Sequence, residues 1–329
     1  MRKAFKVLGY MLLIILLLVA GLLTYVKTAL PNVGKAQELT IDHSPQRVER
    51  GRYLANAVNL CMDCHSTHDK TKFSAPPMEG TWGKGGEKFG RESGFPGNFY
   101  ARNITPFGIS RYTDGELFRV ITTGVDKEGM AMFPVMPYHY YGQMDPEDIK
   151  SIIAYIRTLT PINTTTPESY ADFPMNFIIN TIPHKAEPQK LPPASDQLAY
   201  GAYMITASAC IECHTPVKRG QIILEKAYSG GREFKFPDGA VVRSANITPD
   251  KASGIGNWTE EQFLRRFKMY TDSGFKIPAL QPGGFNTVMP WTMYAKMDIQ
   301  DLKAIFAYLK QVKPAGNKVE KFTGPSTAN

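Results

Sequence analysis

All four cysteines of the chain fall in two pentapeptides, Cys61-Met62-Asp63-Cys64-His65 and Cys210-Ile211-Glu212-Cys213-His214. Two thiols about one helical turn apart can add to the two vinyl groups of one porphyrin, and a histidine directly after the second thiol can meet the iron from below. A thioredoxin-like redox pair, a zinc knuckle and a structural disulfide also use Cys-x-x-Cys, but none needs the trailing histidine. The recurrence of the whole motif points to two covalently bound haems c. Cys61, Cys64, Cys210 and Cys213 would tether them, and His65 and His214 would bind iron on the proximal side.

The opposite face of each iron decides the chemistry. Methionine there fills the coordination sphere, raises the potential and makes an electron carrier, whereas an open position makes an oxygen or peroxide enzyme. Two methionine pairs recur at one constant spacing, Met136 with Met289 and Met144 with Met297. Periodicity does not choose between them. Met144 and Met297 stand directly before the helix-capping positions Asp145 and Asp298, where a hydrophobic staple belongs, so packing explains them. Met136 and Met289 stand in loops, each followed by a proline and an aromatic, and lack that explanation. His43, His68, His139 and His184 have no counterparts at equivalent positions and are expected at the surface or at an interface.

The elements that must hold these residues also come twice. Gly-x-Tyr precedes each motif, at Gly51 to Tyr53 and Gly201 to Tyr203. Asn-Ile-Thr-Pro follows at Asn103 and Asn246, then a threonine-capped helix start at Thr113 or Thr259, then Val-Met-Pro-aromatic. Each copy ends on an amphipathic helix, with Ile149, Ile152, Ile153, Ile156 and Leu159 as one stripe and Leu302, Ile305, Phe306 and Leu309 as the other. Such stripes are core faces, and the glycines would let a first and a last helix cross closely. The expected organisation is mainly α: an anchor at 1–30, tandem cytochrome c domains at 31–160 and 195–315, a Pro-rich linker at 161–194, and a tail at 316–329. The linker's apolar stretch Phe173 to Ile179 either packs over a domain or docks on a partner or the membrane. The Asn-x-Thr triplets match the glycosylation pattern, which chance alone supplies in a chain of this size.

Arg2, Lys3 and Lys6 precede an uncharged apolar run from Val7 to Val26, closed by Lys27. Twenty helical residues cover about 30 Å, the hydrocarbon thickness of a bilayer. With no small-x-small cleavage site before Gly34, an uncleaved single-pass anchor is expected, its basic end in the cytoplasm and the bulk of the chain outside. The net charge of +8 is scattered and contains no dense run, so it reads as a solvated surface and not as a nucleic-acid footprint.

The chain resembles the exported c-type cytochromes, above all the multihaem cytochrome subunits of membrane-bound alcohol, aldehyde and gluconate dehydrogenases. The similarity runs from about Arg47 to Val312 and includes both haem motifs, Gly230-Gly231-Arg232-Glu233-Phe234, Asn246-Ile247-Thr248-Pro249-Asp250, Gly254-Ile255-Gly256-Asn257-Trp258-Thr259 and both Val-Met-Pro segments. The resemblance implies haem attachment outside the cytoplasm, on the periplasmic side of the bacterial inner membrane. It also implies that the distal ligands are Met136 and Met289. Subunits of this kind usually carry three haem domains, whereas this chain has two motifs. The expected function is electron transfer from a dehydrogenase or quinol-oxidising complex toward a terminal oxidase. The alternatives are a dihaem peroxidase with one open haem, and a haem-bearing subunit of a larger respiratory complex. Trp82, Tyr100, Arg102 and Arg243 lie in loops that either line haem or serve packing and surface.

Overall fold

A membrane-length apolar run with nothing to pack against should form a free-standing helix. In the computed structural model, which describes residues 2–325, α1 (Arg2–Thr28) does so, and Val26 is its one residue that is not exposed. The rest of the chain is mainly helical and repeats one order of elements. The first half comprises α2 (Pro45–Tyr53), a π-helical turn at Leu54–Val58, α3 (Cys61–Cys64), a hairpin of β1 (Lys88–Phe89) and β2 (Gly97–Tyr100), α4 (Pro106–Ile109), α5 (Asp114–Thr123), α6 (Tyr138–Tyr141) and α7 (Pro146–Ile156). After it come β3 (Tyr170–Ala171) and α8 (Met175–Ile178). The second half comprises α9 (Gln197–Ala207), α10 (Cys210–His214), a ribbon of β4 (Val217–Lys218) and β5 (Gln221–Ile222), and a hairpin of β6 (Glu233–Lys235) and β7 (Val241–Arg243). It closes with α11 (Glu260–Lys268), α12 (Trp291–Tyr294), α13 (Ile299–Leu309) and β8 (Phe322–Thr323).

Helix starts follow their sequence signals. Thr113 with Glu116, and Thr259 with Gln262, form complete capping boxes at α5 and α11. The Asp145 carboxylate accepts from Glu147 N at 2.9 Å. Asp298 departs from the expectation: its side chain makes no cap bond, and its backbone N–H donates instead to the Tyr53 hydroxyl at 2.9 Å.

In each half the first and last helices cross in backbone contact. A methyl group on Gly51 would lie 1.8 Å from Ser151 O, and one on Gly201 would lie 2.1 Å from Ala304 O. The stripes of α7 and α13 are buried there. Ile149, Ile153 and Leu302 are wholly inaccessible, each contributing about 1.5–3 kcal/mol of burial.

The chain after residue 160 is not a free connection. Asn103 Nδ2 donates to Ile162 O and Thr164 O, and β3 adds antiparallel to β2 with Gly97 opposite Ala171. The second half repeats this closure. Asn246 Nδ2 donates to Ala315 O, and β8 adds to β7 with Val241 opposite Thr323. The stretch expected as a tail therefore completes a sheet, and residues 326–329 lie outside the described residues. Both asparagines are buried, and each carboxamide oxygen accepts from the threonine two residues on, so neither Asn103 nor Asn246 offers a glycosylation site.

The halves meet through a pseudo-twofold exchange. The Tyr53 hydroxyl donates to Asp301 at 2.5 Å and accepts from Asp298 N, while the Tyr203 hydroxyl donates to Asp148 at 2.7 Å and accepts from Asp145 N at 3.0 Å. One partner breaks the symmetry. Asp148 also takes a bidentate bond from Arg50, both arms at 2.8 Å, where Asp301 has only the Tyr200 hydroxyl. Burial accordingly raises the Asp301 carboxyl above its ordinary range despite the two tyrosine bonds. One apolar cluster runs through both halves, from Val58 and Ile153 to Met204, Met293 and Leu302.

Candidate functional site

The residue before each first cysteine is left-handed, Leu60 at φ 54° and ψ 33° and Ala209 at φ 50° and ψ 31°. This conformation is uncommon for a residue with a Cβ, and it turns the chain out of one helix directly into the next. Each new helix carries both cysteines of its motif on one turn, and none of the four is in a disulfide.

His65 Nδ1 lies 2.6 Å from Arg102 O, and His214 Nδ1 lies 2.7 Å from Ala245 O. A carbonyl only accepts, so Nδ1 carries the proton in both rings and the lone pair is on Nε2. Burial lowers both imidazoles below their usual range, which keeps them neutral, the form in which imidazole binds metal. A second bond per half fixes the loop that delivers the carbonyl. Gly85 N donates to His65 O at 2.8 Å, and Gly230 N donates to His214 O at 2.7 Å. Both glycines have positive φ, and a methyl group would fall 2.5 Å from the Arg102 carbonyl carbon or 2.4 Å from that of Ala245. The hairpins β1–β2 and β6–β7 then return the chain to those carbonyls. Backbone acceptors leave no mark in a sequence, but the paired Gly85-Gly86 and Gly230-Gly231 do.

Met136 and Met289 are half-buried and pack on the core cluster, as do Cys61 and Cys210. Each begins an inverse γ-turn centred on its proline. Pro137 has φ −78° and ψ 53°, with Tyr138 N donating to Met136 O at 2.7 Å. Pro290 has φ −81° and ψ 66°, with Trp291 N donating to Met289 O at 2.8 Å. The short helix after each turn carries a tyrosine back to the cysteine motif. Tyr141 OH donates to Asn59 O at 2.6 Å, and Tyr294 OH donates to Ser208 O at 2.7 Å, each acceptor two residues before the first cysteine. Met144 and Met297 are instead fully buried, and the Met144 sulfur accepts from Asn59 Nδ2 at 3.0 Å.

The two sites differ in their bracing. Ser74, from the first half, donates through Oγ to Met289 O at 2.5 Å, and its N–H donates to Asn286 Oδ1 at 3.0 Å, so one half clasps the methionine loop of the other. Glu212 lies between the cysteines of the second motif. It accepts from Tyr140 OH at 2.8 Å and from Arg232 at 3.1 Å, and lies 3.2 Å from His139 Nε2. Burial alone would raise Glu212, but these contacts outweigh it and hold the carboxyl at about 2. His68 bridges Asp63 at 3.5 Å and Glu87 at 3.3 Å, while His43 and His184 are exposed. Among the described residues no cluster of histidine, cysteine and carboxylates holds a metal ion by itself.

Paired thiols on one turn and a neutral histidine with Nε2 free, set against an apolar core, suit a covalently bound haem. Over 316 residues the chain is 29% identical to the cytochrome c subunit of a quinone-dependent alcohol dehydrogenase from Gluconacetobacter polyoxogenes, covering 90% of this chain and 62% of that one. The chain resembles the cytochrome c subunits of dehydrogenases. The gluconate 2-dehydrogenase cytochrome c subunit of Pantoea cypripedii is 29% identical over 287 residues, covering 80% of this chain and 59% of its own length. A dihaem c-type cytochrome of Cereibacter sphaeroides is 26% identical over 266 residues, covering 77% and 81%. The chain thus spans about three fifths of the dehydrogenase subunits that it matches. No family model matches it. These relatives are named as cytochromes c, and haem c is the group to which the donor set corresponds.

Proposed function

We propose that the chain is a membrane-anchored dihaem cytochrome c that takes electrons from a dehydrogenase or quinol-oxidising partner and passes them toward a terminal oxidase or another acceptor at the periplasmic face of the bacterial inner membrane. The observation that carries this is the duplicated proximal geometry, in which two histidines are fixed in one tautomer by equivalent carbonyls, each directly after a pair of cysteines on one helical turn. Bound haem supplies a one-electron couple. The chain's own residues do the rest. Cys61, Cys64, Cys210 and Cys213 tether the porphyrins through thioethers, and His65 and His214 hold their Nε2 atoms toward iron. Met136 and Met289 offer thioethers from turns that their prolines stiffen, which leaves no position for substrate. The buried surround limits reorganisation when the iron changes charge. Arg2, Lys3 and Lys6 keep one end of α1 in the cytoplasm and set the haem domains outside.

The test is the optical and paramagnetic resonance spectrum of the full-length protein, with carbon monoxide added after reduction. Two low-spin haems per chain and no carbon monoxide shift are expected. Met136→Ala and Met289→Ala should each open one iron to carbon monoxide, whereas Met144→Ala and Met297→Ala should destabilise the fold by about 2–5 kcal/mol without opening either. An unchanged spectrum in Met289→Ala would remove that residue from the site. A high-spin haem in the parent protein would favour an enzyme with an open iron.

A further inference from the structure

We infer that the segment between the halves forms a second membrane contact, a short foot of Phe173, Phe177 and Ile178 that lies among lipid headgroups beside α1. This rests on α1 spanning the bilayer. Phe173 is 80% exposed, more than any other large apolar residue among those described, those of α1 included. Tyr170 and Ile178 are exposed within the same nine residues, whereas other exposed apolar residues outside α1 stand singly, as Phe107 and Leu224 do, or as the pair Phe285 and Val288, neither of which exceeds 48%. Scattered apolar side chains are ordinary on a soluble surface, but a contiguous group marks a surface that something covers.

The patch is held in place and does not hang free. Asp172 N donates to Pro96 O at 2.9 Å, Asn176 N donates to Asp172 O at 2.9 Å, and the Arg91 guanidinium pairs with the Asp172 carboxylate through Nε at 2.7 Å. The bonds to Pro96 and Arg91 fasten the polar side of the segment to the first half, and Phe173 and Ile178 are left outward. Its level along α1 is also fixed. Among the described residues the long helix is covered at its C-terminal end, at Val26: α8 and the following turn at Ile179–Thr181 pack on it, and Lys27 Nζ lies 5.1 Å from the centre of the Phe177 ring. Lys27 closes the apolar run, so its ammonium belongs at headgroup depth, and the ring beneath it lies at the same depth. Aromatic residues partition to this layer. A protein partner would have to approach through the headgroups to cover the same face, so lipid is the occupant that the position favours.

The experiment uses the full-length haem-loaded protein in vesicles of phosphatidylethanolamine and phosphatidylglycerol, with a nitroxide on Phe173→Cys or, as a control far from α1, on Leu224→Cys. The native cysteines are tied up as thioethers. Collision with oxygen is compared with collision with a water-soluble nickel chelate. A ratio favouring oxygen at least threefold more at position 173 than at 224, in vesicles that keep the protein through an alkaline carbonate wash, is the expected result. Equal ratios with the protein retained would overturn the foot while α1 remains an anchor, and this is also what a protein occupant would give. Release by carbonate would overturn the anchor and the foot together. The visible haem spectrum reports that both variants are folded.

Discussion

A histidine that serves through one nitrogen needs its other nitrogen fixed, and His65 and His214 each spend Nδ1 on a backbone carbonyl. His68 shows the opposite use of the same side chain. It engages carboxylates through both nitrogens, Asp63 on one side and Glu87 on the other. Burial would lower its pKa, yet these two contacts outweigh it and raise the ring to about 9. Because the folded value lies above the ordinary 6.5, the stabilisation is fully present below pH 6.5 and is lost as pH rises through about 9. Urea unfolding of the parent protein and of His68→Gln at pH 6 and pH 10 should show a gap on the order of 2 kcal/mol at the lower pH that closes at the higher. An equal gap at both values would show that His68 is not the group responsible. Position in sequence placed His68 only as a surface or interface residue, because its partners come from the haem motif and from the start of a hairpin that no local pattern predicts.

Among elements, the hairpins and the glycine pairs before them do most to shape the sites. Gly85 cannot accept a side chain without displacing the Arg102 carbonyl that orients His65. Gly85→Ala should therefore cost about 1–3 kcal/mol of stability through its positive φ and the clash, and it should loosen His65. Calorimetry checks the first part, and the resonance linewidth of the low-spin signal checks the second. Gly86→Ala is the control, because that position has open space and only the strain of its backbone. Helices with capping signals and apolar stripes were legible in the sequence, as α5, α7, α11 and α13 show. The π-helical turn at Leu54–Val58, the left-handed Leu60 and Ala209, and the closing strands β3 and β8 were not. They arise from contacts across the fold, and a two-residue strand has too few residues to show a period.

For the whole molecule, the exchange of tyrosines makes one body of two similar halves. Tyr53→Phe and Tyr203→Phe should each cost about 1–2 kcal/mol, since each removes a hydroxyl that serves a buried carboxylate and a helix N-terminus together. Tyr53→Phe should be the more costly, because Asp301 has no arginine comparable to the Arg50 fork on Asp148. Thermal unfolding of the single variants and the double variant would rank them, and a greater loss in Tyr203→Phe would reverse that assignment. The repeat itself was plain in the sequence, with Gly-x-Tyr present in both copies. What the tyrosines bond to was not, because each partner lies in the opposite copy.

The same exchange ties the histories of the two copies together. A duplicated segment is ordinarily free to drift, each copy answering only to its own interior. Here a change at Asp298 or Asp301 is felt by Tyr53, and a change at Asp145 or Asp148 by Tyr203, so substitutions tolerated in one copy depend on the state of the other. A hybrid that joins the first half of this chain to the second half of a relative would therefore fit only where the relative keeps the two acids at the start of its last helix and the tyrosine before its first cysteine.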